Sequence, residues 1–199
     1  MNIEILINAL AAYFVIVDPI GAALIFHSLT STYEKKRVIH MALRTIVISL
    51  TIIFLFGFYG EPILLKLGIT IEAIKVSGGL LLFYTAFRMI VKKEITEDPL
   101  DAKDDISVYP MSIPLIAGPG CLTLTILLFS EAHTFENLFS LVLAVLLIFT
   151  LTLIAFIFSN YLRAIIRKTG DDILKRLLGI ILAALSVQFI ADGIKQIAG

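Results

Sequence analysis

Between residues 5 and 26 the chain carries a single charged side chain, Asp18. A helix that crosses the hydrocarbon core of a bilayer needs roughly 20 mostly apolar residues. This run meets that length, and comparable runs follow along the rest of the chain. The expected spans are 3–26, 41–59, 71–91, 108–129, 138–161 and 174–194. Length decides this reading, because a spanning helix is apolar most of the way round and periodicity says little. Composition agrees: 59% of residues are hydrophobic and 16% charged, against roughly 25% charged in soluble domains. Mean hydropathy is +0.99. The expected fold class is therefore an all-α membrane protein of six transmembrane helices.

Several function classes fall away at this point. Net charge is zero, so no global field attracts nucleic acid. Cys121 is the single cysteine, which leaves no internal disulfide and no cysteine-rich metal site. It reads as a small buried hydrophobe. His27, His40 and His133 are scattered without metal-ligand spacing. There is no Walker A motif, no HExxH, and no serine or cysteine with a convincing base partner. The chain is not expected to be an enzyme or to carry a cofactor. Met1-Asn2-Ile3-Glu4 lacks the basic stretch of a cleaved signal peptide, so the first apolar run is expected to remain as a span.

The most polar stretch runs from Lys92 to Asp105 and contains Pro99. It reads as a solvated linker, with an acidic partner-binding patch as the alternative. The expected organisation is a first three-helix unit at 1–95, a charged cytoplasmic linker at 96–107 and a second unit at 108–199. Lysine and arginine set the orientation. The loops after spans one, three and five hold most of them, including Lys35, Lys36, Arg37, Arg88, Arg163 and Arg167. The opposite side has only Lys66, Lys75 and Lys195. The basic side is expected to face the cytoplasm of an inner-membrane protein, which leaves both termini on the extracytoplasmic side.

Two helix-breaking clusters interrupt the spans. Asp18-Pro19-Ile20-Gly21 lies in the first and Ala117-Gly118-Pro119-Gly120 in the fourth. Proline removes a backbone hydrogen bond and clashes with the preceding turn, at about 3 kcal/mol in an ordinary helix. A charge near a bilayer centre costs at least ~3 kcal/mol more. Pro19 pairs with Pro119, and Gly68-Ile69-Thr70-Ile71 with Gly170-Asp171-Asp172-Ile173, which suggests a duplication. Because three spans is an odd number, the second copy must be inverted. Inverted repeats with interrupted helices in matching places point to the midplane site of a secondary transporter. The alternative is two simple kinks, with neighbours re-satisfying the freed backbone.

These residues carry a family resemblance across nearly the whole chain. Val17-Asp18-Pro19-Ile20-Gly21, Pro114-Leu115-Ile116-Ala117-Gly118-Pro119-Gly120, Gly78-Gly79 and the stretch from Leu182 to Gln188 resemble the MarC-related membrane proteins. That group is also described as a six-span neutral amino acid transporter family. The resemblance implies cation-coupled transport of small neutral amino acids such as glycine or alanine. The family pattern has asparagine after the first motif's glycine. Here that position is Ala22, which removes an amide that could contact substrate.

The candidate substrate-binding residues are Asp18, Pro19, Gly21, Ala22, Gly118, Pro119, Gly120 and Thr123. Two half-helix starts, near Gly21 and Gly120, would offer N–H groups and positive dipole ends to a carboxylate. Freed carbonyls and Asp18 would accept from an ammonium group. Asp18 has two further readings. It could exchange protons and couple transport to them, or cap the second half-helix by accepting N–H groups around Gly21. Thr123 and Thr125 could line the path, but a threonine in a span more often bonds its own i−4 carbonyl. The same holds for Ser77, Ser112 and Ser186. Gly78, Gly79 and Gly179 read as close helix packing, and Gln188 as an interhelical hydrogen bonder. The expected partners are the lipid bilayer and a small-molecule substrate, with a homo-oligomer left open and no nucleic acid. H+ and Na+ are the candidate coupling ions. The competing function is a non-transporting membrane scaffold or regulatory protein that keeps the same fold.

Overall fold

Within lipid no water is available to backbone N–H and C=O groups, so each apolar run must satisfy its own as helix. The structure, a computed structural model, describes residues 1–91, 105–165 and 168–198. Helices α1 (Ile3–Val17) and α2 (Pro19–Thr30) form the first span, divided at Asp18. Helix α3 (Lys35–Lys66) and helix α4 (Ile71–Val91) follow. An irregular segment, Ser107–Ile116, leads into α5 (Pro119–Ser130). The rest is α6 (Phe135–Ile157), α7 (Ser159–Ile165) and α8 (Lys168–Ala198). No strand occurs among the described residues. Five of these stretches are long and apolar enough to cross a membrane, and the bent pair of Ser107–Ile116 with α5, 57° between its parts, makes up to six. The charged stretch at 92–104 lies outside the described residues.

Each helix end has a local cause. The Asn2 side chain accepts the Ile5 N–H at 3.2 Å and starts α1. Thr134 does the same for Asn137 at the start of α6. Gly68, at φ +76°, turns the chain between α3 and α4, a backbone conformation open to glycine at little steric cost. Helix α3 has 32 residues, about 48 Å at 1.5 Å per residue. That exceeds a hydrocarbon core of about 30 Å, so Lys35, Lys36 and Arg37 in its first turn can stand clear of lipid.

The N-terminal start and the end of α8 share one end of the bundle. Asn2 N donates to Ser140 Oγ at 2.9 Å, beside the start of α6. Lys75 Nζ lies 2.7 Å from Glu131 Oε1 at the end of α5 and 3.4 Å from Gln196 Oε1 near the end of α8.

The tightest helix pair is α4 with α8, running antiparallel. Its contacts are notched by glycine, as close approach between helices in lipid demands. A methyl group at Gly79 would stand 2.6 Å from Ile190 Cγ1 and 2.8 Å from Ser186 O. At Gly179 it would stand 2.9 Å from Ile90 Cγ1. Gly78 instead faces α5, with its notch filled by the Thr123 methyl. The packing reading of these three glycines holds. Two other expectations do not. Gln188 Nε2 donates to the Asp192 carboxylate at 2.9 Å on its own helix, and not across to another. Gly170 is helical where Gly68 is a positive-φ turn, so that sequence pairing has no backbone counterpart.

Candidate functional site

The first break is built by Asp18. Its φ of 45° is left-handed, and it is the one non-glycine residue with positive φ among those described. Asp18 both ends α1, donating its N–H to Phe14 O at 3.1 Å, and begins α2. Its Oδ1 accepts the Gly21 N–H at 3.0 Å. Pro19 follows in the first turn, where a missing N–H is no loss. The capping reading of Asp18 is thus the geometry observed. Pro19, Gly21 and Ala22 are all buried, and Asp18 is partly buried.

The second break is built differently. Tyr109 and Ile113 are extended, and the Tyr109–Pro110 and Ile113–Pro114 peptides are both cis. Helical N–H donation fails at both prolines, and the remaining bonds are wide. Met111 N donates to Ile106 O at 3.2 Å, and Ala117 N to Ser112 O at 2.8 Å. Side chains supply what the backbone loses. Ser112 Oγ donates to Ser107 O at 2.6 Å and to Thr45 O at 3.1 Å. Ser107 Oγ donates to Met41 O at 3.3 Å. Two further contacts hold the foot of the segment: Asp105 pairs with Arg44 and accepts the Ser107 N–H at 3.0 Å. Buried polar backbone inside a membrane is tolerated where protein satisfies it in this way.

Beyond Ala117 the chain restarts at Gly118. A methyl group on Gly118 would stand 2.3 Å from Pro114 O, so only glycine fits that turn. Helix α5 has no side-chain cap. The two helix starts are thus unequal: one holds a carboxylate, the other has no side chain on its N–H groups. Gly118 and Gly120 are buried, whereas Pro119 is exposed and contributes through the backbone.

The two breaks adjoin. Val17, Ala22 and Ala23 from the first belong to the same buried cluster as Ile116, Ala117 and Cys121 from the second. A methyl group on Gly120 would meet Ile16 Cδ1 at 3.2 Å. Thr123 turns the other way, towards Gly78 on α4, and its hydroxyl donates to Pro119 O at 2.9 Å. Thr125 donates to Cys121 O at 2.8 Å. Both threonines make the i−4 bond expected of them. Cys121 is buried, as a small hydrophobe would be.

Sequence reasoning missed Ser49. It lies on the buried face of α3, one turn beyond Thr45 and two turns before Gly57. Thr45 meets Ser112 before the second break, and Gly57 meets Phe129 beyond it. Ser49 Oγ is buried and makes no hydrogen bond. A desolvated, unpaired hydroxyl costs about 1–3 kcal/mol, and such a group in a native structure calls for an explanation. A serine in an apolar run gives no sequence signal of this, because the pairing of its hydroxyl is tertiary. Two cavities lie elsewhere. One is an apolar groove along α3, lined by Leu55, Phe56, Tyr59, Gly60 and Ile63. The other, of about 170 Å³, is lined by residues including Asn8, Glu131 and Asn137 at the terminus-side end. No group of three or more His, Cys, Asp or Glu side chains suited to a metal ion occurs among the described residues.

Comparison with known proteins covers nearly the same residues. A family model described as "MarC family integral membrane protein" matches residues 3–198. A UPF0056 membrane protein of Methanocaldococcus jannaschii is 33% identical over 98% of this chain and 98% of its own length. One from Aquifex aeolicus is 30% identical over 96% of this chain and 92% of its own. The UPF0056 inner membrane protein YhgN of Escherichia coli is 33% identical over 96% of both chains. No solved structure matches.

Proposed function

The chain belongs to the MarC family of integral membrane proteins, and from that premise we propose that it is a secondary transporter of small neutral amino acids or similar small polar solutes. The observation that carries the proposal is that two Pro/Gly-broken spans bring their breaks into one buried cluster. A scaffold has no need of two adjoining helix interruptions inside a membrane, each demanding its own polar compensation.

The proposed site uses the inequality of the two breaks. The uncapped start of α5 at Gly118 to Gly120 takes the solute carboxylate, aided by the helix dipole. Asp18 and the carbonyls before the prolines face the ammonium group. Pro19, Gly21 and Ala22 shape the first half of the site, and Pro119 fixes the start of the second. Thr123 supports α5 through Gly78 and reaches solute only if α4 and α5 part. Ala22, Ala23 and Ala117 leave room for a small side chain at most.

An inverted repeat accounts for the helix pairing. With Pro19 matched to Pro119, the α2–α6 contact corresponds to α3–α5, the α1–α6 contact to that of α3 with Ser107–Ile116, and the α1–α5 contact to that of α2 with Ser107–Ile116, when the two halves are exchanged. The α4–α8 and α3–α6 contacts map onto themselves. This symmetry supports two inverted three-helix units and rocking of one against the other. Both termini are proposed to face outward, from the lysine and arginine distribution.

Uptake of labelled glycine and L-alanine into proteoliposomes, with and without imposed pH and sodium gradients, tests the reading. Gradient-dependent flux is the expected result. Absence of flux across a panel of small solutes would favour the scaffold, for which Ala22 in place of the family's asparagine is the supporting observation.

A further inference from the structure

We propose that the seam between α1 and α5 is the solute's route from the terminus-side face, closed by a hydrogen bond from Tyr13 to Thr125 beneath a small antechamber that carries three polar side chains in an otherwise apolar lining. This rests on the transporter reading. Tyr13 Oη donates to Thr125 Oγ1 at 2.9 Å, and both side chains are 0% exposed. A hydrogen bond between two hydroxyls is directional and its net contribution is small, so it can be broken and remade where water or solute takes over the freed groups.

The position of this pair gives it a role. Ala9, Tyr13 and Val17 follow one another at i, i+4 and i+8 on one face of α1, each step about 6 Å. Ala9 lines the cavity of about 170 Å³. Val17 sits at the Asp18 break. On α5, Leu128 lines the same cavity, Thr125 lies one turn deeper and Cys121 one turn below that, beside the second break. Tyr13 and Thr125 therefore stand between the cavity and the two breaks, about one helical turn from each. No other polar pair bridges α1 and α5 among the described hydrogen bonds.

The antechamber suits a small zwitterion. Glu131 supplies a carboxylate for an ammonium group, and the amides of Asn8 and Asn137 supply donors for a carboxylate. Glu131 is held by Lys75 at 2.7 Å, which ties the rim of the antechamber to α4. Parting of α1 from α5 would open the seam, and the Tyr13 ring would have to leave it.

Cys121, the single cysteine, is a native reporter beneath the barrier. The experiment measures its modification by a membrane-impermeant thiol reagent in the full-length protein. Intact cells and inverted vesicles are compared, and an N-terminal tag identifies the terminus side. In the wild type, modification from the terminus side is expected to be slow. Tyr13→Ala and Thr125→Ala should raise that rate roughly tenfold or more, since reactivity follows exposure of the thiol. Tyr13→Phe, which removes only the hydroxyl, should raise it less. Phe156→Ala, which opens the core on the far side of the breaks against Phe26, should leave it unchanged. A Tyr13→Ala rate equal to that of Phe156→Ala overturns the proposal, as does equal acceleration from both membrane faces. Glycine and L-alanine flux read in parallel separates the two readings. Faster labelling without flux sinks transport and leaves the barrier. Flux with unchanged labelling sinks the barrier alone.

Discussion

The Ser112 hydroxyl donates to the carbonyl of Thr45 at 3.1 Å, which is the acceptor that Ser49, one turn further along α3, would ordinarily use. Ser49 instead stays buried without a partner, at the level where the fourth span breaks. An orphan hydroxyl there lowers stability in the closed protein and is retained if solute uses it. Ser49→Ala should therefore stabilise the protein by about 1 kcal/mol in a detergent melt, while raising the KM for solute uptake. A melt shifted downward would show that the hydroxyl does have a structural partner.

Asp18 combines a cap with a left-handed backbone, and the two can be separated. Asparagine tolerates positive φ and still offers an acceptor to Gly21. Asp18→Asn should keep the melting temperature close to wild type. Asp18→Ala loses the cap and keeps the strained φ, a loss of about 1–2 kcal/mol. Asp18→Gly loses the cap but relaxes the backbone, and should fall between them. If Asp18→Asn also leaves uptake complete and its pH dependence unchanged, Asp18 is a cap alone and not the proton-coupling group.

The glycine notch between α4 and α8 gives a stability test remote from the breaks. A methyl group at Gly79 meets backbone, Ser186 O at 2.8 Å, as well as the Ile190 side chain. Backbone cannot swing aside as a side-chain end can. Gly79→Ala should destabilise by about 1–3 kcal/mol. Gly68→Ala is a useful contrast: nothing lies within 4 Å of an added methyl, so its loss comes from the positive φ alone. Equal melting temperatures for Gly79→Ala and wild type would mean that α4 and α8 are not packed as described.

How much of this was legible beforehand follows from where each effect originates. The spans and both breaks are local: apolar length and Pro/Gly chemistry state them directly. The i−4 bonds of Thr123 and Thr125, the cap at Asp18 and the packing of Gly78, Gly79 and Gly179 follow from residue type within a span. The path of Ser107–Ile116 does not. Its shape depends on Ser107 and Ser112 finding carbonyls on α3, a relation that no spacing encodes. Ser49 was invisible for the same reason. Gln188 needs no partner on another helix because Asp192, at i+4 on its own, accepts from it. The resemblance in sequence between Gly68 and Gly170 is not one of structure, since α8 simply continues through the second glycine.

The foot of the irregular segment carries the pH dependence. The Asp105 carboxyl lies below its ordinary value chiefly because hydrogen bonding from Ser107 favours its charged form, with Arg44 and His40 adding in the same direction and partial burial opposing. The group's pKa is thus lower folded than unfolded. Its contribution is present in full above the unfolded value and is lost as pH falls through the folded one. Lowering the pH below the ordinary 3.8 of an aspartate should therefore loosen the Arg44–Asp105 contact and the start of the fourth span. Asp105→Asn should mimic the acid state at neutral pH. The readout is thiol reactivity of Ile106→Cys, a buried position beside Asp105, in a Cys121→Ser background. The rate should rise in Asp105→Asn relative to the otherwise identical protein, with the pH held constant so that the reagent's own chemistry does not change. An unchanged rate would mean that Ser112 and Thr45 anchor the segment without Asp105.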